Sequence, residues 1–438
     1  MIPTPICDFV RSYADSRPVR LHMPGHKGQA VLGAEALDIT EIDGADNLFA
    51  PVGIIAESER NASALFGCPT YYSAEGSSLA IRAMLYLARM HSGKTAVLAG
   101  RSAHKTLIHT AALLDLTVDW LYPHGDDVYP RCTVTADDVD AALGKGSYAC
   151  VFLTDPDYLG CRTDIASVAD VCRKHGVLLA VDSAHGAYLH FLTPCAHPMD
   201  LGADLCCASA HKTLPVLTGG AYLHVRKDLN TVPALIRDAL GLFGSTSPSY
   251  LVLQSLDLCN RTLESFSETL QGFLPQMAHL RGTLAAAGWQ MLGEEPLKIT
   301  LRTQCSGYTG NALAGILAQA NIRCEYHDRM HLTLMCTPCN TADDLLKARD
   351  VLLALPQLSP LEENAPHVEP PRRVLTPRQA VLAPRETLPT AQCVGRILAS
   401  AAVTCPPAVP IVQCGEEIGA DAAEAMEYFG IRTCSVVI

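Results

Sequence analysis

The sequence predicts an α/β protein: a large domain on a mostly parallel sheet, then a smaller α+β domain and a small C-terminal domain. Three observations carry this. Residues 177–181 are a short, wholly apolar run that ends in Asp182. Residues 204–208 form a second short run that ends in Ser209-Ala210-His211-Lys212. Runs of this kind read as strands buried on both faces, with polar groups delivered to the sheet's carboxyl edge. The third observation is alternation. A strand over 149–153, a loop over 154–160 and a helix over 164–175 that stops at Gly176 repeat the rhythm of a parallel sheet covered by helices.

Length and composition set the frame. A chain of 438 residues is too long for one compact core and implies two or three domains. With 49% hydrophobic and 18% charged residues it reads as globular. A net charge of −12 with no basic block argues against nucleic-acid binding. Residues 1–20 lack the apolar core of a signal peptide, and no run reaches the roughly 18 apolar residues of a membrane span. A cytoplasmic protein that does not enter membranes is expected. The 18 cysteines, in a large chain without an export signal, read as free buried thiols. Only Cys336-Thr337-Pro338-Cys339 has CxxC spacing, and no second pair follows it. No metal site is predicted.

From the amino terminus, RLHMPGHKG at 20–28 is a polar, sharply turned loop. A helical pattern over 54–66 ends at Gly67. Gly76-Ser77-Ser78 then precedes an apolar-periodic run that lasts to Gly93, which marks a helix N-terminus. Free N–H groups, the positive end of the helix dipole and two hydroxyls suit a phosphate there. Ordinary serine capping is the alternative. A strand over 95–99 feeds Arg101-Ser102-Ala103-His104-Lys105, where an imidazole can stack on a flat aromatic ligand or simply hydrogen-bond within its loop.

Open α/β sheets bind ligands at the carboxyl edge, so Asp182, His185, Ser209, His211 and Lys212 are expected to converge on one pocket. Asp182 and Lys212, each closing a buried strand, suit pyridoxal phosphate. That cofactor needs a lysine for its Schiff base and a carboxylate that keeps its pyridine nitrogen protonated. Singly, Asp182 reads as a turn cap and Lys212 as a solvated lysine. With the flanking histidines and serine, they read together as a cofactor site.

Several motifs occur in one order: HMPGHKG at 22–28, DITEIDGADNL at 38–48, the GSS and RSAHK turns, VDSAHGAYLHF at 181–191, SAHKTL at 209–214 and STSPSY at 245–250. In this the chain resembles the bacterial ornithine/lysine/arginine decarboxylase family. The likeness is to its shorter members, pyridoxal-phosphate enzymes of the aspartate aminotransferase fold (fold type I). The resemblance implies Lys212 as the Schiff-base lysine, Asp182 as the partner of the pyridine nitrogen and His104 as the ring stacked on the cofactor. It implies that Ser77, Ser78, Ser209 and His211 hold the phosphate or surround the lysine. It also makes His185 a second imidazole beside the cofactor, and puts Thr246 and Ser247 where this fold reaches a partner subunit's phosphate. A homodimer or higher homo-oligomer follows from it. So does decarboxylation of a small basic amino acid to a di- or polyamine.

The chain departs from the family in places. Glu75-Gly76-Ser77-Ser78 replaces the more usual Asn-Gly-Ser-Thr, and near the C-terminus Cys405 and Ala408 replace a Tyr and a Gly. Lysine, ornithine and arginine are not distinguished, and Asp43, Asp46, Glu325 and Glu416 are candidates for the substrate's distal cation. Either Lys212 or His211 can return a proton to the α-carbon. An aminotransferase or carbon–sulfur lyase on the same fold remains an alternative, as does a catalytically silent regulatory relative. The domain division expected is 1–260 for the large domain and 261–355 for the small one, then a proline-rich linker and arm over 356–392 and a C-terminal domain over 393–438. Within it, helix is expected over 251–287 and 311–320, and mixed strand and helix as far as 355.

Overall fold

The structure is a computed structural model that describes residues 1–123, 134–229, 233–361, 365–404 and 409–438. Cys405 and Ala408 lie outside the described residues. The chain divides into two compact units, Met1–Gly93 with Ile165–Thr269, and Lys94–Asp164 with Leu270–Ile438. Seven strands carry the α/β part: β1 (Thr70–Ser73), β2 (Ala96–Gly100), β3 (Thr117–Leu121), β4 (Cys150–Thr154), β5 (Leu178–Asp182), β6 (Leu205–Ala208) and β7 (Ala221–Val225).

In the first unit the strands run in the order β1-β7-β6-β5. β5 and β6 are parallel, with Asp182 opposite Cys207, while β7 is antiparallel to β6 and to β1. Every residue of these four strands is buried. This explains why their sequences run apolar without alternation: both faces are covered. The helices Gly76–Ser92 and Ile165–His175 lie N- and C-terminal to the other unit's insertion and end at Gly93 and Gly176. Both glycines have positive φ, 68° and 63°, the left-handed turn that stops a helix at little cost for glycine. A further layer packs Pro5–Asp15 against Ile54–Leu65 and Tyr250–Leu263.

In the second unit β4-β2-β3 are parallel neighbours. Four further strands follow: β8 (Met291–Leu292), β9 (Lys298–Arg302), β10 (Tyr326–His327) and β11 (His331–Met335). They form an antiparallel sheet ordered β10-β11-β9-β8, accompanied by the helices Gly310–Gln319 and Ala342–Leu353. The C-terminal part pairs β12 (Arg385–Pro389) with β15 (Thr433–Val437), and β13 (Ala402–Thr404) with β14 (Pro410–Gln413). Leu398, Ile411, Val412, Ile418, Met426 and Val436 form its core. The proline-rich stretch 356–392 thus contains β12 and a capped helix, Pro377–Leu382.

The helix expected over 251–287 is two helices, Tyr250–Leu263 and Phe266–Ala286. The break falls at Glu264, whose carboxylate accepts the Ile2 N–H (2.7 Å) and faces the terminal ammonium of Met1 (3.4 Å). A long-range anchor of this kind leaves no trace in helical periodicity. Among the described residues, no helix is long and apolar enough to cross a membrane.

Candidate active site

The first unit builds a polar cluster where β5 and β6 end. Asp182 closes β5 and is 2% exposed. Its Oδ1 accepts the Ala184 N–H at 3.1 Å and the Cys207 thiol at 3.3 Å. Cys207 comes from β6 across the parallel register, and its carbonyl accepts the Ser183 N–H at 2.9 Å, which carries the pairing one residue past the strand before the chain turns, the Gly186 N–H donating to the Ser183 carbonyl. Burial, and next the charge of Asp182, hold the Cys207 thiol well above its ordinary range, so it acts as a neutral donor. Asp182 forms no ion pair among the described residues. A carboxylate withdrawn from water in this way is costly unless a cation meets it.

Lys212 and His185 stand together beside it. β6 passes through Ser209 into a single helical turn, Ala210–Thr213, which carries Lys212. Its Nζ is 3.0 Å from Nε2 of His185, a residue 4% exposed. His211 is held differently. Its Nδ1 donates to the Gly220 carbonyl at 2.9 Å, and its backbone N–H donates to the same oxygen at 3.1 Å. That fixes the tautomer and turns Nε2 away from the Gly220 carbonyl.

The adjoining carbonyl draws in the phosphate candidates. Gly219 O accepts the Gly76 N–H at 2.7 Å, so Gly219 and Gly220 tie the start of the helix Gly76–Ser92 to His211. Neither glycine tolerates a side chain. A Cβ on Gly219 would lie 2.9 Å from the Ala74 carbonyl oxygen, and one on Gly220 would run into the Val216 side chain. Ser77 and Ser78 sit half-buried in the first turn, where backbone N–H groups point out of the helix end. The N-cap position is Glu75, which makes no capping bond of its own. Its carboxylate instead accepts the Ser245 N–H. Thr246 and Ser247, next in that segment, are exposed. The structure therefore brings Asp182, His185, Lys212, His211, Ser209 and the Ser77–Ser78 turn into one connected neighbourhood.

In the second unit, His104 is exposed and caps the helix Lys105–Leu114, its Nδ1 accepting the Thr106 N–H at 3.3 Å. Arg101, which opens the same turn, is 1% exposed. Its guanidinium donates to both oxygens of Glu416, at 2.6 and 2.7 Å, and packs over Trp120 and Tyr122.

These contacts reassign most of the carboxylates weighed for the substrate's distal cation. Glu416 is committed to Arg101 and also accepts the Gln413 N–H at 2.7 Å. Asp46 caps the helix Ile54–Leu65 through the N–H groups of Val52, Gly53 and Ile55. Burial opposes its ionisation, yet these backbone bonds hold its pKa below the usual value. Glu325 accepts the Tyr158 hydroxyl at 2.9 Å. Asp43 is exposed. The sequence reasoning missed Cys207 and the Arg101–Glu416 pair; strand register sets the first and a contact 315 residues apart along the chain the second.

Residues 4–300 match the family model described as Orn/Lys/Arg decarboxylase, major domain, and residues 364–434 its C-terminal domain. An arginine decarboxylase of Bacillus subtilis is 27% identical, the match covering 95% of this chain and 91% of that protein. An arginine decarboxylase of Halalkalibacterium halodurans is 28% identical, with the same coverage of 95% and 91%. In fold, the chain is similar to a lysine decarboxylase of Francisella novicida, with a TM-score of 0.84 at 15% identity over 100% of this chain and 81% of that one.

Proposed function

Because the chain belongs to the Orn/Lys/Arg decarboxylase family and is a decarboxylase of a basic amino acid, we propose that it works with pyridoxal phosphate held at Lys212. The observation that carries this reading is Asp182. Its buried carboxylate is met by two neutral donors and, among the described residues, by no cation, at the sheet edge where the helical turn that carries Lys212 follows β6. A protonated pyridine nitrogen would supply the missing positive charge. The donor set fits the cofactor: a lysine amine, an uncompensated carboxylate, and a helix N-terminus with two hydroxyls for the phosphate.

When bound, pyridoxal phosphate supplies a sink for the electron pair left as CO2 departs. The rest is the work of the chain. Cys207 and the Ala184 N–H orient Asp182, so that its negative charge stays fixed while charge moves elsewhere. His185, 3.0 Å from the Lys212 amine, would exchange a proton with it. His211, with Nδ1 fixed on Gly220, offers Nε2 as the second candidate to return a proton to the substrate's α-carbon. Ser77, Ser78 and Ser209 would hold the phosphate.

Arginine is the first substrate to try, since sequence relatives matched over most of their length are named arginine decarboxylases. The reading extends to a cytoplasmic homo-oligomer, at least a dimer, in which the exposed Thr246 and Ser247 would reach a partner subunit's phosphate. The experiment is a spectrum of the purified protein with added pyridoxal phosphate. Borohydride reduction, peptide mapping and a CO2-release screen over arginine, lysine and ornithine follow. A reduced adduct on Lys212 together with CO2 release supports the reading. An adduct on another lysine, or amino-group exchange with 2-oxo acids without CO2, overturns it.

A further inference from the structure

We propose that His190, Cys195 and Asp200, on the crossover between β5 and β6, form a binding site for a divalent transition-metal ion of zinc's class. The three donor atoms lie within 4.8 Å of one another. Asp200 Oδ2 is 2.7 Å from His190 Nδ1 and 2.8 Å from Cys195 Sγ, and the thiol and imidazole are 3.9 Å apart. Zinc bonds of about 2.0–2.3 Å imply tetrahedral edges of about 3.4–3.7 Å. The thiol–imidazole edge is already open to that extent. The two edges to the carboxylate are at hydrogen-bond length and would lengthen by roughly 0.7–0.9 Å on closing around an ion.

The donor set selects the ion. A thiolate, an imidazole and a carboxylate together suit zinc and its borderline neighbours far better than calcium or magnesium. The thiolate and carboxylate also balance a 2+ charge. All three ligands come from one short loop, so little chain entropy is lost on closing the chelate.

The loop is fixed before any ion arrives. Ala196 N–H donates to the Leu189 carbonyl at 3.1 Å, Phe191 N–H to Tyr188 at 2.9 Å, and Asp200 N–H to His197 at 2.9 Å. The rings of Phe66 and Phe191 pack around His190 at centroid distances of 5.5 and 5.2 Å, an apolar wall that orients a ligand. The site is neither closed nor bare: the side chains of His190 and Asp200 are 21% and 32% exposed. This leaves a fourth position for water or a small ligand, as in zinc sites with three protein ligands.

The test uses the reduced, chelator-treated holoenzyme, titrated with Co2+ and read at the red end of the visible spectrum, clear of the cofactor. Wild-type protein should take up one equivalent with the intense bands of a low-coordinate thiolate site, and Zn2+ should bleach them. Cys195→Ser should lose both the bands and that equivalent. Asp200→Asn should weaken binding by more than about 100-fold, beyond what outer-shell changes alone reach. Melting curves in chelator confirm that each variant folds, and His190→Ala serves if one does not. Wild-type protein without these bands, or a Cys195→Ser protein that binds cobalt as wild type does, overturns the proposal and leaves the cluster a hydrogen-bonded loop staple. No readout depends on decarboxylation, so this site and the cofactor reading stand or fall separately.

Discussion

Replacing Glu416 by glutamine tests how the C-terminal part is tied to the turn that carries His104. The pair it breaks is bidentate, at 2.6 and 2.7 Å, between side chains each 2% exposed. Glutamine keeps the shape but removes the charge, and it turns an NH2 donor toward one of the N–H groups that both Glu416 oxygens now accept, so one hydrogen bond goes with the ion pair. Removing one partner of a buried ion pair costs about 3–5 kcal/mol, because the other charge stays out of water. At roughly 2.1 cal/mol/K of unfolding entropy per residue, 438 residues amount to about 0.9 kcal/mol/K, so Tm should fall by about 3–5 °C. A paired variant separates charge from packing. Arg101→Met with Glu416→Leu removes both charges, and such replacements are often within about 1 kcal/mol of neutral. Thermal melting by circular dichroism is the assay. A Glu416→Gln protein that melts within about 1 °C of wild type, or a double variant as unstable as the single one, refutes the argument.

Three further outcomes are expected. Lys212→Ala should abolish both CO2 release and the borohydride-stable adduct, and turnover in that variant would remove the basis of the cofactor assignment. Asp182→Asn should slow decarboxylation by about a thousandfold, since unit charges about 4 Å apart at an effective dielectric of 20 are worth about 4 kcal/mol; a change under tenfold in kcat counts against its role. Burial pushes the Asp257 carboxyl up to about 6, against the opposing hydrogen bond from Ser58. Because its folded pKa lies above the unfolded value, its contribution is full below about pH 4 and is lost as pH rises through 6, about 3 kcal/mol in all. Urea unfolding at pH 5 and pH 7.5 should therefore show a steeper loss in wild type than in Asp257→Asn.

Much of the fold was legible because burial is written locally. The strand runs read at 149–153, 177–181 and 204–208 lie within one residue of β4, β5 and β6. The glycines that end the helices at 93 and 176 were plain for the same reason. Asp182 was legible as the polar residue that closes a strand, and Lys212 as one of the polar group that follows the next, although it sits on a helical turn beyond β6. The partners of the acids were not. Asp46 and Glu416 look alike as exposed-type carboxylates in sequence, yet one caps a helix and the other neutralises a buried arginine. The loop residues His190, Cys195 and Asp200 match no familiar metal spacing, and only the turn after Leu189 folds them together.

Alone, the sequence settled which segments must leave water and where their polar ends fall, because apolar runs and helix stops act over a few residues. Tertiary structure decided which charge meets which. It put Cys207 on Asp182, His185 on Lys212 and Glu416 on Arg101, because a hydrogen bond or ion pair depends on distances of a few ångströms between groups whose separation along the chain carries no information about them.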